Sequence, residues 1–197
     1  MTNFRNLNWR LDLGRLRPYI AASIALFLLG AATGTWTFIL QLEFAVQLHD
    51  VLKQFLGMFH GMSKLQLFAA IFLNNSLKTF LVVLLGPLLG IVPIFFVFMN
   101  GAMLGAVIPM SIAFNGPWFS LMVLLPHAIF ELPAIFLGTS IGIKLGLHPL
   151  RRLAGGADSS LLSKLGNGLR LYVAIILPLL LVAALIEVFV TPLVAGV

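Results

Sequence analysis

Apolar residues fill this chain in long runs, and the polar residues between the runs predict where it turns. Pro18 to Leu40 gives about 23 uncharged, mostly apolar residues, enough to cross the hydrocarbon of a bilayer as one helix. From Leu65 to Ala113 there is no acidic residue and a single base, Lys78. At about 1.5 Å per residue that stretch is too long for one crossing. Gly86-Pro87 and Gly90 with Pro93 are its strongest breakers, so the pattern predicts helices over about 66–86 and 91–113. A break at Asn100-Gly101 would leave only about 15 residues for the next helix, fewer than a span needs. Asn115-Gly116-Pro117-Trp118 reads as a turn with an interfacial tryptophan. Further spans follow over 118–146 and 169–190, the last broken by Pro178.

The segment 43–64 has a different pattern. Phe44, Leu48, Val51, Leu52, Phe55, Leu56, Phe59 and Met62 recur at three- and four-residue steps, with Glu43, Gln47, Asp50, Lys53, Gln54 and Lys64 largely between them. That predicts an amphipathic helix, too polar to span and suited to the membrane interface. His49 and His60, eleven apart within it, read as solvated interfacial residues in preference to a metal pair. The fold class is therefore all-α: a polytopic transmembrane bundle of about five spans plus one interfacial helix. The chain forms a single integral membrane domain, without internal repeats.

Composition agrees with the pattern. The chain has 197 residues, 60% hydrophobic and 9% charged, where a soluble domain carries about 25% charged residues. A β-barrel would need alternating segments of about ten residues, and these runs do not alternate. Gly30-Ala31-Ala32 faintly resembles a signal-peptide cleavage site, but the apolar run continues past it, so the first span is expected to be retained. The net charge of +6 marks topology, not nucleic acid. Nine of the twelve Lys and Arg residues lie in 1–17 and 144–170, while 41–65 balances its charges. Five spans with the N-terminus inside place both basic segments in the cytoplasm and the C-terminus outside. In the loop 147–168, Asp158-Ser159-Ser160 is expected to cap a short helix ending near Gly166.

Candidate chemistry sits at membrane depth. The mid-membrane polar residues are Asn74, Asn75, Lys78, Asn100, His127 and Glu131, with Glu187 as a secondary member near the end of the last span. His127 and Glu131 are four apart and share a helix face, between Pro126 and Pro133. Charged groups at that depth cost at least a few kcal/mol, so the set is expected to converge inside the bundle. Three readings compete. In the first, Lys78 pairs with Glu131 and the asparagines bridge helices, worth about 0.6 kcal/mol per bond. In the second, the set lines a polar cavity for an ion, a proton or a lipid headgroup. In the third, His127 and Glu131 hold a metal or perform acid–base chemistry, but the sequence offers no further mid-membrane His or Asp to complete a site. No catalytic or cofactor motif is present, so a cofactor is not expected and an enzyme is disfavoured. Gly30 and Gly34, Gly101 and Gly105, and Gly138, Gly142 and Gly146 form small-residue stripes that permit close helix packing, within the chain or with a second copy.

Four segments, LNNSLKTF, NGAMLG, PHAIFELPAIFLGTSIG and ALIEVFVTP, resemble the stage II sporulation protein M family over roughly residues 65–192. The family pattern has an asparagine pair, an asparagine-glycine, a P-H-x-x-x-E-L-P-A block and a late glutamate before T-P. Where a glycine often follows the histidine, this chain has Ala128. The resemblance implies an integral membrane protein of five or six helices. It also implies a scaffold role, since the spore-former member recruits peptidoglycan-degrading partners. The expected partners are thus membrane lipids, a second copy of the chain, and membrane or cell-wall-acting proteins. The alternative is a transporter or lipid-handling protein using the polar cavity. Single cysteines near 50–60 and at 195 should react with an impermeant reagent from outside, and cysteines near 10 and 158 should not; both termini reacting from one side would contradict five spans.

Overall fold

The computed structural model describes residues 13–40, 61–155 and 160–196, with 47, 50, 51, 54 and 57 as isolated positions. Most of the interfacial segment 43–64, with His49 and His60, lies outside the described residues, as do Asp158 and Ser159. All regular structure among the described residues is helical. Helix α1 is Arg17–Leu40, α2 is Lys64–Leu84, α3 is Ile91–Asn115 and α4 is Pro117–Gly146. A short α5, His148–Leu153, precedes a long final rod. The rod consists of α6 (Leu161–Leu171), a π-helical turn (Tyr172–Ile176), α7 (Leu177–Leu185), a second π-helical turn (Ile186–Val190) and α8 (Thr191–Ala195). Among the described residues, five helices, counting the rod as one, are long and apolar enough to cross a membrane.

Local chemistry fixes where these helices start. Ser63 caps α2 in a reciprocal box: its hydroxyl accepts from the Gln66 N–H at 3.3 Å, and its own N–H donates to Gln66 Oε1 at 2.8 Å. Between α2 and α3 the chain turns tightly through Gly90, whose φ of 72° suits a residue without Cβ. Pro117 occupies the first turn of α4, where a missing N–H costs nothing. Ser160 caps α6 by accepting from the Ser163 N–H at 3.2 Å. The helix that begins there does not end near Gly166. It runs straight on into the final span, because neither Gly166 nor Gly168 adopts a left-handed terminating conformation.

The two π-helical turns precede the prolines of the rod. A proline ring clashes with the carbonyl four residues before it and cannot donate a hydrogen bond. Pro178 and Pro192 each follow a widened turn, in which Leu177 N–H donates to the Tyr172 carbonyl and Thr191 N–H to the Ile186 carbonyl. The wider turn gives the ring room while the rod remains continuous.

Helix α4 is the centre of the bundle and touches every other spanning helix. One side of it packs with Leu16, Val83, Ile176 and Leu180 in the main apolar cluster. The other side meets Phe27 and Val97 through Ile135, with Phe136 edge-on to Phe27 at 5.3 Å between ring centroids. Close backbone approach accounts for the glycines. A Cβ on Gly30 or Gly34 would run into the backbone of Phe98 or Ala102 on α3, and one on Gly101 or Gly105 would run into Phe27 or Ala31 on α1. Thr35 Oγ1 donates to the Gly105 carbonyl at 2.8 Å across the same seam. Gly138 lies against Thr79 of α2, Gly142 against Val82 and Pro93, and Gly146 against Gly90. All three stripes are therefore occupied within one chain, and none of them is left over for a second copy.

The rod is tied to α2 by Tyr172, whose hydroxyl donates to the Ser76 carbonyl at 2.8 Å and whose ring meets Phe80 edge-on at 5.6 Å. At the far end of α4, Lys164 Nζ donates to His148 Nδ1 at 2.8 Å, and Arg151 covers the Tyr19 ring at 5.7 Å. These contacts fasten α5 and α6 beneath the bundle.

Candidate functional site

Helices α3 and α4 form an antiparallel hairpin about Gly116. Asn100 lies sixteen residues before that turn and Glu131 fifteen after it, so the two reach the same level of the hairpin. Between them and the turn is a recess of about 470 Å³. Met103, Val107 and Ile112 of α3, Leu124 and Leu125 of α4, and Phe27 of α1 give it apolar walls. Asn100, His127 and Glu131 line it at one end, and Ser120 lines it near the turn. Met103, Ile112 and Leu125 are exposed, so the recess opens on the flank of the bundle and is not sealed within it.

Each polar group has unspent capacity. Asn100 Nδ2 donates to the Phe96 carbonyl one turn back at 2.8 Å, and among the described residues nothing donates to its side-chain oxygen. His127 Nδ1 is buried without a hydrogen-bond partner among the described residues. Glu131 faces the recess, and two ionisable side chains, Lys78 of α2 and Glu187 of the second π-helical turn, are near enough to interact with it electrostatically. Pro126 and Pro133 bracket this pair and remove two N–H donors from α4, exposing carbonyls near the same level. Ala128, directly after the histidine, adds little bulk to the recess wall.

The six residues do not all converge. Asn100, His127 and Glu131 meet at the recess. Asn74 and Lys78 are exposed on the outer face of α2, and Asn75 is half-buried beside them. Asn74 Nδ2 donates to Asn75 Oδ1 at 3.2 Å, so the pair bonds to itself and does not reach another helix. The expected asparagine bridges between helices are thus not what the asparagines do. Lys78 acts on Glu131 through space from an exposed position. Glu187, secondary in the sequence, joins the neighbourhood of Glu131. Among the described residues no group of three or more His, Cys, Asp and Glu comes together to hold a metal, so His127 and Glu131 gain no further ligand there.

Sequence reasoning missed Ser120. It is buried, donates to the Gly116 carbonyl at 2.8 Å and sits 2.7 Å from Ser111 Oγ, locking the hairpin at its turn. A serine three residues after a helix-starting proline was its only signal, and it reads equally well as a solvated first turn.

Apolar rods joined by short turns, with polar side chains gathered at mid-helix, define a multi-pass helical membrane protein. The chain belongs to the Stage II sporulation protein M family, whose model matches residues 23–192. That range takes in the recess, the glycine seams and all but the end of the rod. No curated protein and no solved structure matches the chain.

The through-space relation of Lys78 and Glu131 has a measurable consequence. A double-mutant cycle with Glu131→Gln and Lys78→Met, followed by reversible unfolding in mixed micelles, should give a coupling of about 1 kcal/mol or less. A coupling of about 3 kcal/mol or more is what a closed, buried ion pair would give, and would contradict this arrangement.

Proposed function

We propose that this protein is a membrane scaffold that holds a partner's transmembrane segment in the α3–α4 recess. The observation that carries the reading is the form of the recess: apolar walls, a polar end at mid-helix and a lateral opening. A transmembrane helix entering sideways would bury apolar side chains against Met103, Ile112 and Leu125. One donor on that helix, such as a lysine, arginine or amide, would meet Glu131 and the Asn100 oxygen. A polar contact of this kind in hydrocarbon selects its partner, because a helix without the donor leaves the acceptors unpaired. Membership of the family supports a partner that is membrane-anchored and acts on the cell wall.

Orientation belongs to the same proposal. With the basic segments in the cytoplasm, the N-terminus is inside, the C-terminus is outside and the α3–α4 turn faces outward. The recess then occupies the outer half of the membrane, on the side where wall-acting domains work.

A photo-reactive residue at Leu125 should capture a membrane-anchored peptidoglycan hydrolase in native membranes. Leu121→Trp, which fills the recess from an exposed position, should reduce that capture severalfold without changing the thermal stability of the scaffold. Flux of ions or lipids in proteoliposomes that vanishes with Glu131→Gln, with no capture at Leu125, would overturn the scaffold reading in favour of transport.

A further inference from the structure

The segment after α4 gathers cations around a buried histidine. Helix α4 ends where Gly146 meets Gly90 of the α2–α3 turn, so α5 and the start of α6 lie at one end of the bundle. His148 is buried, at 2% exposure. Lys164 Nζ stands 2.8 Å from its Nδ1. An ammonium group donates and never accepts, so Nδ1 must be the acceptor and the neutral ring carries its proton on Nε2. Nε2 is buried and has no hydrogen-bond partner among the described residues. Buried donors normally have an acceptor.

The charges nearby cannot supply one. Lys164, Arg152 and Arg151 are near enough to His148 to interact with it electrostatically, and all three are donors. Arg151 and Arg152 are exposed, and Arg151 lies 5.7 Å over the Tyr19 ring near the start of α1. The described carboxylates, Asp50, Glu131 and Glu187, all lie outside α5 and α6. In the sequence, segments 1–17 and 144–170 hold nine Lys and Arg residues against Asp12 and Asp158, too few acids to neutralise them.

We propose that α5 and the start of α6 bind the phosphate of an anionic phospholipid through Arg151, Arg152 and Lys164. A phosphate brings the negative charge and the acceptor oxygens that this cluster lacks. Lys164 spends one of its three donors on His148 and keeps two for the ligand. A free phosphate offers the same chemistry, and the surrounding residues favour the lipid. Leu150, Leu153 and Leu162 are exposed at 50%, 87% and 77%, interleaved in sequence with the cations. Such leucines enter the acyl boundary while the basic heads stay among the headgroups. Basic clusters next to the end of a spanning helix suit anionic headgroups, whereas a zwitterionic lipid carries its own cation into the cluster.

The purified chain can be mixed in mild detergent with equal amounts of phosphatidylglycerol and phosphatidylcholine. By native mass spectrometry it should retain phosphatidylglycerol severalfold more often. Arg151→Gln with Arg152→Gln, both at exposed positions, should remove most of that preference. Arg5→Gln with Arg10→Gln takes the same charge from the N-terminal flank and should leave it in place. The unmodified chain gives a reading that needs no variant: its thermal midpoint should be higher in nanodiscs of phosphatidylglycerol than of phosphatidylcholine. Equal retention of the two lipids, equal midpoints, or the same loss in both Gln variants would overturn the proposal. Displacement of phosphatidylglycerol by millimolar inorganic phosphate would overturn it too, by assigning the cluster to a soluble anion.

Discussion

Hydrocarbon gives helices no hydrophobic reason to associate, because a leucine is as well solvated by lipid tails as by another helix. What holds this bundle is close backbone contact, and the glycines set where that contact occurs. Gly30, Gly34, Gly101 and Gly105 bring α1 and α3 together so closely that no Cβ fits. Gly138, Gly142 and Gly146 do the same between α4 and the α2–α3 segment. With α3 drawn onto α1 at one seam and its start pressed against α4 at another, the rest of the α3–α4 hairpin is free to splay. The recess lies in that splayed part, beside the α1–α3 seam, whose Phe27 forms part of its wall, and it ends at the serine lock by the turn.

Polar groups divide accordingly. Those on the hairpin, Asn100, His127 and Glu131, face a space inside the chain's own envelope. Those on α2 face away from it. The proposed role follows this division, with the hairpin set serving a partner in the recess. Lys78 is near enough to Glu131 to interact with it electrostatically.

The five spans were legible because charge and turn residues interrupt the apolar runs at spacings that only a membrane imposes. His127 and Glu131 were legible as a pair because helical spacing alone puts them on one face. The rotation of α2 was not legible. That helix is apolar on nearly every side, so no periodicity says which face meets α4, and Asn74 and Lys78 turned out to be exposed. The glycine stripes could be read as places of close approach, but a stripe does not name its neighbour. Only the tertiary packing shows that α1 takes α3 and that α4 takes α2. The end of the short helix after Ser160 was misread for a different reason. Gly166 suggests a stop, yet it takes no left-handed conformation, and the helix that Ser160 caps runs on into the apolar rod.

The central claim is that the histidine–glutamate segment of α4 lines the polar end of an accessible recess and is not sealed in a packed core. A cysteine reacts as its thiolate, which forms only where water or a polar partner reaches it. Placed at Ala128, on the recess wall, a cysteine should react with a small permeant maleimide in intact membranes. Placed at Ala134, fully buried less than two turns away on the same helix, it should not. Equal and negligible labelling at both positions would contradict the recess.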